Sequence, residues 1–144
     1  MKRRYPGESL QLVEMLCTDK IEFGGNITSM NTREQIHALS EEMLENLGKL
    51  VAVDSQLGTP SEGKPFGEGP AEALEIGLEI ARELGFKTVN LDNYCGYAEM
   101  GEGEEIVGIA GHLDIVPVGG DWTYDPFKLT RDGDHVYGLS LIHI

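Results

Sequence analysis

The sequence is poor in basic residues, aromatic residues and long apolar runs. Its 144 residues include 11 basic and 25 acidic ones, which leaves a net charge of −14, and only 7% are aromatic. A strongly acidic chain repels phosphate backbones, so nucleic acid is excluded as a favoured partner. No run is long and apolar enough to span a bilayer, and Tyr5–Glu8 follows Met1–Arg4 where a signal peptide needs an apolar segment. We expect neither a nucleic-acid nor a membrane partner.

Cysteine is also scarce. Cys17 and Cys95 are far apart in the sequence and fit neither a CxxC motif nor a zinc-finger spacing. Such cysteines are typical of buried thiols in a reducing compartment. The sequence therefore predicts a cytoplasmic protein without a disulfide.

Two helices are predicted. Asn31 and Thr32 are good N-caps, and Glu34 and Gln35 follow at capping-box spacing. An apolar stripe along this first helix is expected to pack in the core; it consists of Ile36, Leu39, Met43, Leu47 and Leu50. Pro70 and Gly85 suit the first turn and the C′ position of a second helix over about 70–84. Its predicted buried face is Ala73, Ile76, Ile80 and Leu84, and its solvated face, which we do not interpret as a metal site, is Glu72, Glu75, Glu79 and Arg82.

Short runs of β-forming residues follow the second helix. Strands are predicted at 88–91, 94–100 and 106–116, with the second and third antiparallel and 106–110 covered on both faces. Asp132-Gly133 predicts a hairpin between 128–131 and 135–137. The fold class is therefore α/β, with helices packed on a mixed β-sheet.

The residues with the clearest chemical potential are His112 and Asp114. Residues two apart in a strand project from the same face, so the two side chains are expected to point together out of the sheet edge. An imidazole binds zinc well, and a nearby carboxylate can fix its tautomer. The alternative is a hydrogen-bonded core histidine followed by a turn-forming aspartate, and for an isolated pair this alternative is favoured.

The sequence around the pair resembles a known family. The runs concerned are GHLDIVP at 111–117, WTYDPF at 122–127, the Asp132-Gly133 hairpin leading to YG at 137–138, PFGEGPAEAL at 65–74 and DNYCGY at 92–97. Together they resemble the dinuclear zinc peptidases and deacylases of clan MH, which include acetylornithine deacetylase, succinyl-diaminopimelate desuccinylase and carnosinase. The runs at 65–74 and 92–97 are most similar to the bacterial Xaa-His dipeptidases of the PepV type. The resemblance covers about residues 31–138.

This resemblance implies a zinc-peptidase catalytic domain with two Zn²⁺ ions in the complete active site, although other divalent metals are possible. His112 would be a metal ligand, and Asp114 the catalytic acid that orients and polarises it. The substrate implied is a small peptide, and the oligomeric state is not indicated. The bridging aspartate, the Glu-Glu pair and the remaining ligands of the family lie further along the chain, and no residue here matches the bridging aspartate.

The chain has three predicted parts. Residues 1–29 have no sustained helical or strand periodicity, and the codons for Gly24-Gly25 can resemble a bacterial ribosome-binding site, so we expect an N-terminal extension outside the domain with Met30 as the true start. Residues 30–138 would be a partial metallopeptidase catalytic domain. Residues 139–144 depart abruptly from the family pattern and resemble translated adapter sequence, so we expect an artefactual tail.

The predicted function is the N-terminal fragment of a zinc-dependent dipeptidase that hydrolyses Xaa-His dipeptides with metal-activated water, the fragment itself being inactive. One alternative is an N-acyl-amino-acid deacylase of the same family, because the amide chemistry is nearly identical. Another is a non-catalytic binding module that retains the fold. A serine hydrolase is disfavoured, since the sequence has no Gly-x-Ser-x-Gly.

Overall fold

A computed structural model describes residues 32–139. The chain divides into two compact units, Met1–Glu41 and Glu42–Ile144. The predictions of an extension over 1–29, of a start at Met30 and of a buried Cys17 lie outside the described residues. Of the predicted tail, only Leu139 is described; its side chain is buried, and its N–H donates to the carbonyl of Pro126 at 2.8 Å.

The first helix, α1, runs over Thr32–Val51. The predicted cap Asn31 lies outside the described residues. The apolar stripe of α1 is not the predicted core. Ile36, Leu39 and Met43 are 51–58% exposed. Burial is complete only at Val51, the last residue of the helix. Helical periodicity shows which side chains share a face, but a face is buried only where another element covers it.

The second helix, α2, runs over Glu68–Glu83. Its end confirms the predicted role of Gly85, which has φ +90° and donates its N–H to the carbonyl of Arg82, while Phe86 donates to Ala81. These two bonds form a Schellman motif, which requires a left-handed residue at C′. The predicted buried face is partly wrong, because Leu84 is 50% exposed and Leu78 is buried instead, along with Ala71 and Ala73.

A β-hairpin packs against α2. Strands β1 (Lys87–Leu91) and β2 (Cys95–Glu99) are antiparallel, with Val89 opposite Tyr97. The predicted pairing of the second strand with 106–116 is therefore wrong, since the second strand pairs with the first. Contact with α2 is close at Gly96, where an added Cβ would lie 3.0 Å from the Leu78 methyl groups. Cys95 is a free, exposed thiol, contrary to the predicted burial.

The predicted third strand is absent. Residues 101–129 contain no strand, and Ile106, Val107 and Ile109 are 91%, 80% and 98% exposed. The prediction of a strand covered on both faces is therefore wrong for this chain. A strand persists only when a neighbour accepts its backbone hydrogen bonds, and the described residues place no strand beside this segment.

A second hairpin closes the described part of the chain. Strands β3 (Thr130–Asp132) and β4 (His135–Tyr137) are antiparallel and joined by a two-residue loop. Gly133 opens this loop with φ +59°, so the predicted hairpin is confirmed with its loop one residue later. The described fold is mixed α/β, but it has two separate two-stranded antiparallel sheets where one mixed sheet was predicted. Neither helix is long and apolar enough to cross a membrane.

Candidate metal centre

The structure brings His112 and Asp114 together. The Nδ1 atom of His112 lies 3.2 Å from Oδ1 of Asp114 and 3.0 Å from the Asp114 backbone oxygen. Both side chains are open to solvent, at 78% and 69% exposure. The two residues therefore project on one side, as their spacing predicts, although no strand forms around them. The alternative of a buried core histidine is incompatible with this exposure.

The hydrogen bonds of His112 determine which of its nitrogens is available to a metal. Both groups that face Nδ1 are oxygen acceptors. A neutral imidazole carries one N–H, so the proton belongs on Nδ1 and the lone pair remains on Nε2. Metal-binding histidines are commonly held by such a hydrogen bond to a carboxylate or carbonyl, which also raises the basicity of the ligating nitrogen.

The segment carrying the pair is held through Leu113. The hydroxyl of Ser55 donates to the Leu113 carbonyl at 2.7 Å, and the Ile115 N–H approaches the Ser55 carbonyl at 3.4 Å. Sequence reasoning missed Ser55. The signal in the sequence is short: Val51 and Val53 alternate with Ala52 and Asp54, and the two valines are buried in the structure. An alternating pattern through Asp54 would have predicted an inward-facing serine.

The donor chemistry of the pair suits one ligand position of a zinc site. A structural zinc takes four protein ligands and a catalytic zinc three. Within residues 32–139, no group of three or more His, Cys, Asp and Glu side chains could hold a metal ion. His112 can therefore supply one ligand, and a complete site requires ligands from outside the described residues.

The structure has a cleft of about 750 Å³. Its lining residues begin at Val116, two positions after Asp114 in the sequence. Its wall includes three aromatic side chains, Trp122, Tyr124 and Tyr137, and the rings of the two tyrosines lie 4.8 Å apart at 39°. Asp121 and Asp125 also line the cleft. The run at 122–127 thus contributes four of the residues that line the cleft, Trp122 to Asp125.

Tyr124 provides a test of the cleft's geometry. Its hydroxyl donates to Oδ2 of Asp132 at 3.0 Å. This hydrogen bond, followed by the negative charge of Asp132, raises the pKa of Tyr124 above its ordinary value. The folded chain thus holds the phenol proton more tightly than the unfolded chain. The resulting stabilisation is complete below the unfolded pKa of about 10 and is lost as the pH rises through the folded pKa.

We expect Asp132→Asn to lower the pKa of Tyr124 towards its ordinary value, because it weakens the hydrogen bond that the phenol donates and removes the charge that opposes the phenolate. Alkaline titration of the Tyr124 ring signals by NMR measures this shift, and Asp134→Asn is the control, since it removes a neighbouring charge but keeps the Tyr124–Asp132 contact. An identical titration curve for Asp132→Asn and the unmodified chain would contradict the hydrogen bond.

Comparison with known proteins relates the chain to dipeptidases. It is 39% identical over 112 residues to the Beta-Ala-Xaa dipeptidase of Lactobacillus delbrueckii subsp. lactis, covering 76% of this chain and 24% of that protein. It is 35% identical over 115 residues to YtjP of Bacillus subtilis, a protein provisionally named as a dipeptidase. This match covers 78% of this chain and 25% of YtjP. A Staphylococcus aureus USA300 protein with a similar provisional name is 35% identical over 98 residues, 67% of this chain and 21% of its own.

These matches cover one part of each relative. The chain spans about a quarter of the length of the curated relatives that it matches. No family model matches it. The similarity relates the chain to proteins named as dipeptidases.

Proposed function

We propose that this chain is part of a zinc-dependent dipeptidase of the clan MH type. The observation that carries the proposal is the contact between Nδ1 of the exposed His112 imidazole and Asp114, in a chain similar to dipeptidases. The free thiol of Cys95 supports a cytoplasmic location, because an exposed thiol persists in a reducing compartment.

In the proposed mechanism, His112 would hold one zinc ion through Nε2. Asp114 accepts a hydrogen bond from Nδ1–H, which keeps the ring in the correct tautomer and increases its basicity. Bound zinc would polarise the peptide carbonyl and lower the pKa of a water molecule. The general base and the other ligands would come from residues outside 32–139. We infer that the 144-residue chain alone is inactive, because the family resemblance implies that the general base and the other ligands follow the matched motifs further along such enzymes.

The proposed substrate is a small dipeptide. One relative is named for Beta-Ala-Xaa peptides, whereas the sequence motifs resemble those of Xaa-His dipeptidases. The dipeptide β-Ala-His satisfies both descriptions and is therefore the substrate to assay first.

The test compares the 144-residue chain with the product of the uninterrupted gene, each supplied with Zn²⁺ and β-Ala-His. We expect no turnover by the chain and turnover by the longer product, which His112→Ala should abolish because it removes a zinc ligand. Turnover by the 144-residue chain that depends on His112 would refute its inactivity.

Two further outcomes separate the alternatives. If the longer product hydrolyses N-acetyl amino acids but not dipeptides, the deacylase assignment replaces the dipeptidase. If a natural stop codon follows Ile144 in the genomic DNA and the chain is a stable zinc-free protein, the non-catalytic module replaces both.

A further inference from the structure

Ser55 is unusual in its burial. Among residues 32–139 it is the one buried polar side chain, with 1% exposure. Its hydroxyl donates to the carbonyl of Leu113, which is 58 positions away in the sequence. A buried hydroxyl is tolerated when it makes such a hydrogen bond, and the partner carbonyl loses its donor when the hydroxyl is removed.

Leu113 is held from a second direction by α2. A Cβ on Gly77 would lie 3.0 Å from the Leu113 Cδ1 atom, so the leucine side chain reaches the helix at a position with no side chain of its own. His112 and Asp114 flank this anchored residue and are largely exposed. The backbone between the pair is therefore held at its carbonyl by Ser55 and at its side chain by α2.

We propose that Ser55 is a positioning residue for the His112–Asp114 pair, with its hydroxyl fixing the peptide that joins them. The contact between Nδ1 and Asp114 depends on this peptide. The peptide joins Leu113 to Asp114, and both oxygens that face Nδ1 belong to Asp114. The inference rests on the proposed metal-binding role of His112. Groups that orient a ligand are typically worth about 10- to 100-fold in metal affinity, and Ser55 acts one step further away.

The test uses three variants of the full 144-residue chain. Ser55→Ala removes the hydroxyl. Ser55→Thr keeps it but adds a methyl group to a site with no spare space, which disturbs packing. Ala73→Gly is the matched control, since Ala73 is equally buried, lies in the middle of α2 and loses helix stability when replaced by glycine.

Two measurements follow the His112 ring by NMR at a pH where it is neutral. The first is the fraction of the tautomer with the proton on Nδ1, without metal. The second is the apparent Zn²⁺ affinity from the His112 ring signals. Competition for Zn²⁺ with a chelator is measured in parallel on the chain and on His112→Ala, which lacks those signals, and gives the contribution of other zinc-binding groups. We expect Ser55→Ala to reduce the Nδ1–H fraction and to weaken zinc binding about 10-fold, with Ser55→Thr and Ala73→Gly close to the unmodified chain.

The order of the variants distinguishes positioning from packing. If Ser55→Thr weakens zinc binding more than Ser55→Ala, the role is packing and the proposal is overturned. Equal tautomer fractions and affinities in Ser55→Ala and the unmodified chain also overturn it. If His112→Ala leaves zinc binding unchanged, the proposed metal role of His112 fails, while the metal-free tautomer measurement still decides whether Ser55 positions the pair.

A measurement on the unmodified chain covers the case in which Ser55→Ala does not fold. Backbone ¹⁵N relaxation should give order parameters of about 0.85 at residues 112–114, as for a rigid backbone. Values below about 0.6 would show that the hydrogen bond from Ser55 does not hold the segment, and would overturn the proposal.

Discussion

Replacing Gly69 with alanine is expected to lower the free energy of unfolding by about 3 kcal/mol or more. Gly69 lies in the first turn of α2, where its backbone packs on the chain between Asp54 and Ser55. A Cβ at this position would overlap the carbonyl oxygen of Asp54 and lie 2.9 Å from its carbonyl carbon. Both partners are backbone atoms, so relief requires one segment to move as a whole.

Helix propensity alone predicts the opposite result for this substitution. Alanine is a better helix former than glycine by about 1 kcal/mol, so a freely exposed helix would be stabilised. Urea unfolding followed by circular dichroism measures the difference. Gly108→Ala is the control, because nothing lies within 4 Å of its added Cβ, and we expect it to be neutral. A stability for Gly69→Ala equal to that of the control would show that α2 does not pack on Asp54 as described.

Replacing Asp114 with asparagine is expected to weaken zinc binding at His112 by about 10- to 100-fold. The carboxylate accepts a hydrogen bond from the Nδ1–H group of the ring. An amide can instead rotate its NH₂ group towards Nδ1 and select the other tautomer. That tautomer carries a proton on Nε2 and blocks the proposed ligating atom. The Asp114 backbone oxygen, 3.0 Å from Nδ1, still favours the correct tautomer and limits the loss.

Zinc titration of the His112 ring signals measures this effect in the 144-residue chain. Asp134→Asn is the matched control, because it makes the same charge change at an exposed turn residue outside the pair. We expect the control to bind zinc like the unmodified chain. Equal affinities for Asp114→Asn and Asp134→Asn would mean that Asp114 does not orient the imidazole.

Local signals predicted the elements of this chain well. Gly85 marked the end of α2 through its Schellman motif. The glycine at 133 predicted the second hairpin, although its loop is one residue later than expected. In each case the cause lies within a few residues, as a backbone hydrogen bond or a left-handed φ angle, so the sequence pattern contains the whole reason.

Predictions that depended on distant partners were the ones that failed. The stripe on α1 and the apolar run at 106–110 were both expected to be buried, and both are largely exposed. The pairing of β2 with β1 was also missed. Periodicity shows which residues share a face, but coverage of that face and the choice of strand partner depend on elements elsewhere in the chain.

The candidate site also combines one feature that local spacing predicts with one that depends on a distant partner. The two-residue spacing of His112 and Asp114 predicted that the two side chains come together, and they do so without the strand and sheet edge on which the prediction relied. The anchoring of their shared peptide by Ser55 appeared only in the folded chain, because it joins residues 58 positions apart. Chemical identity and local spacing are properties of the sequence, whereas a buried hydrogen bond between distant segments exists only after packing has brought its donor and acceptor together.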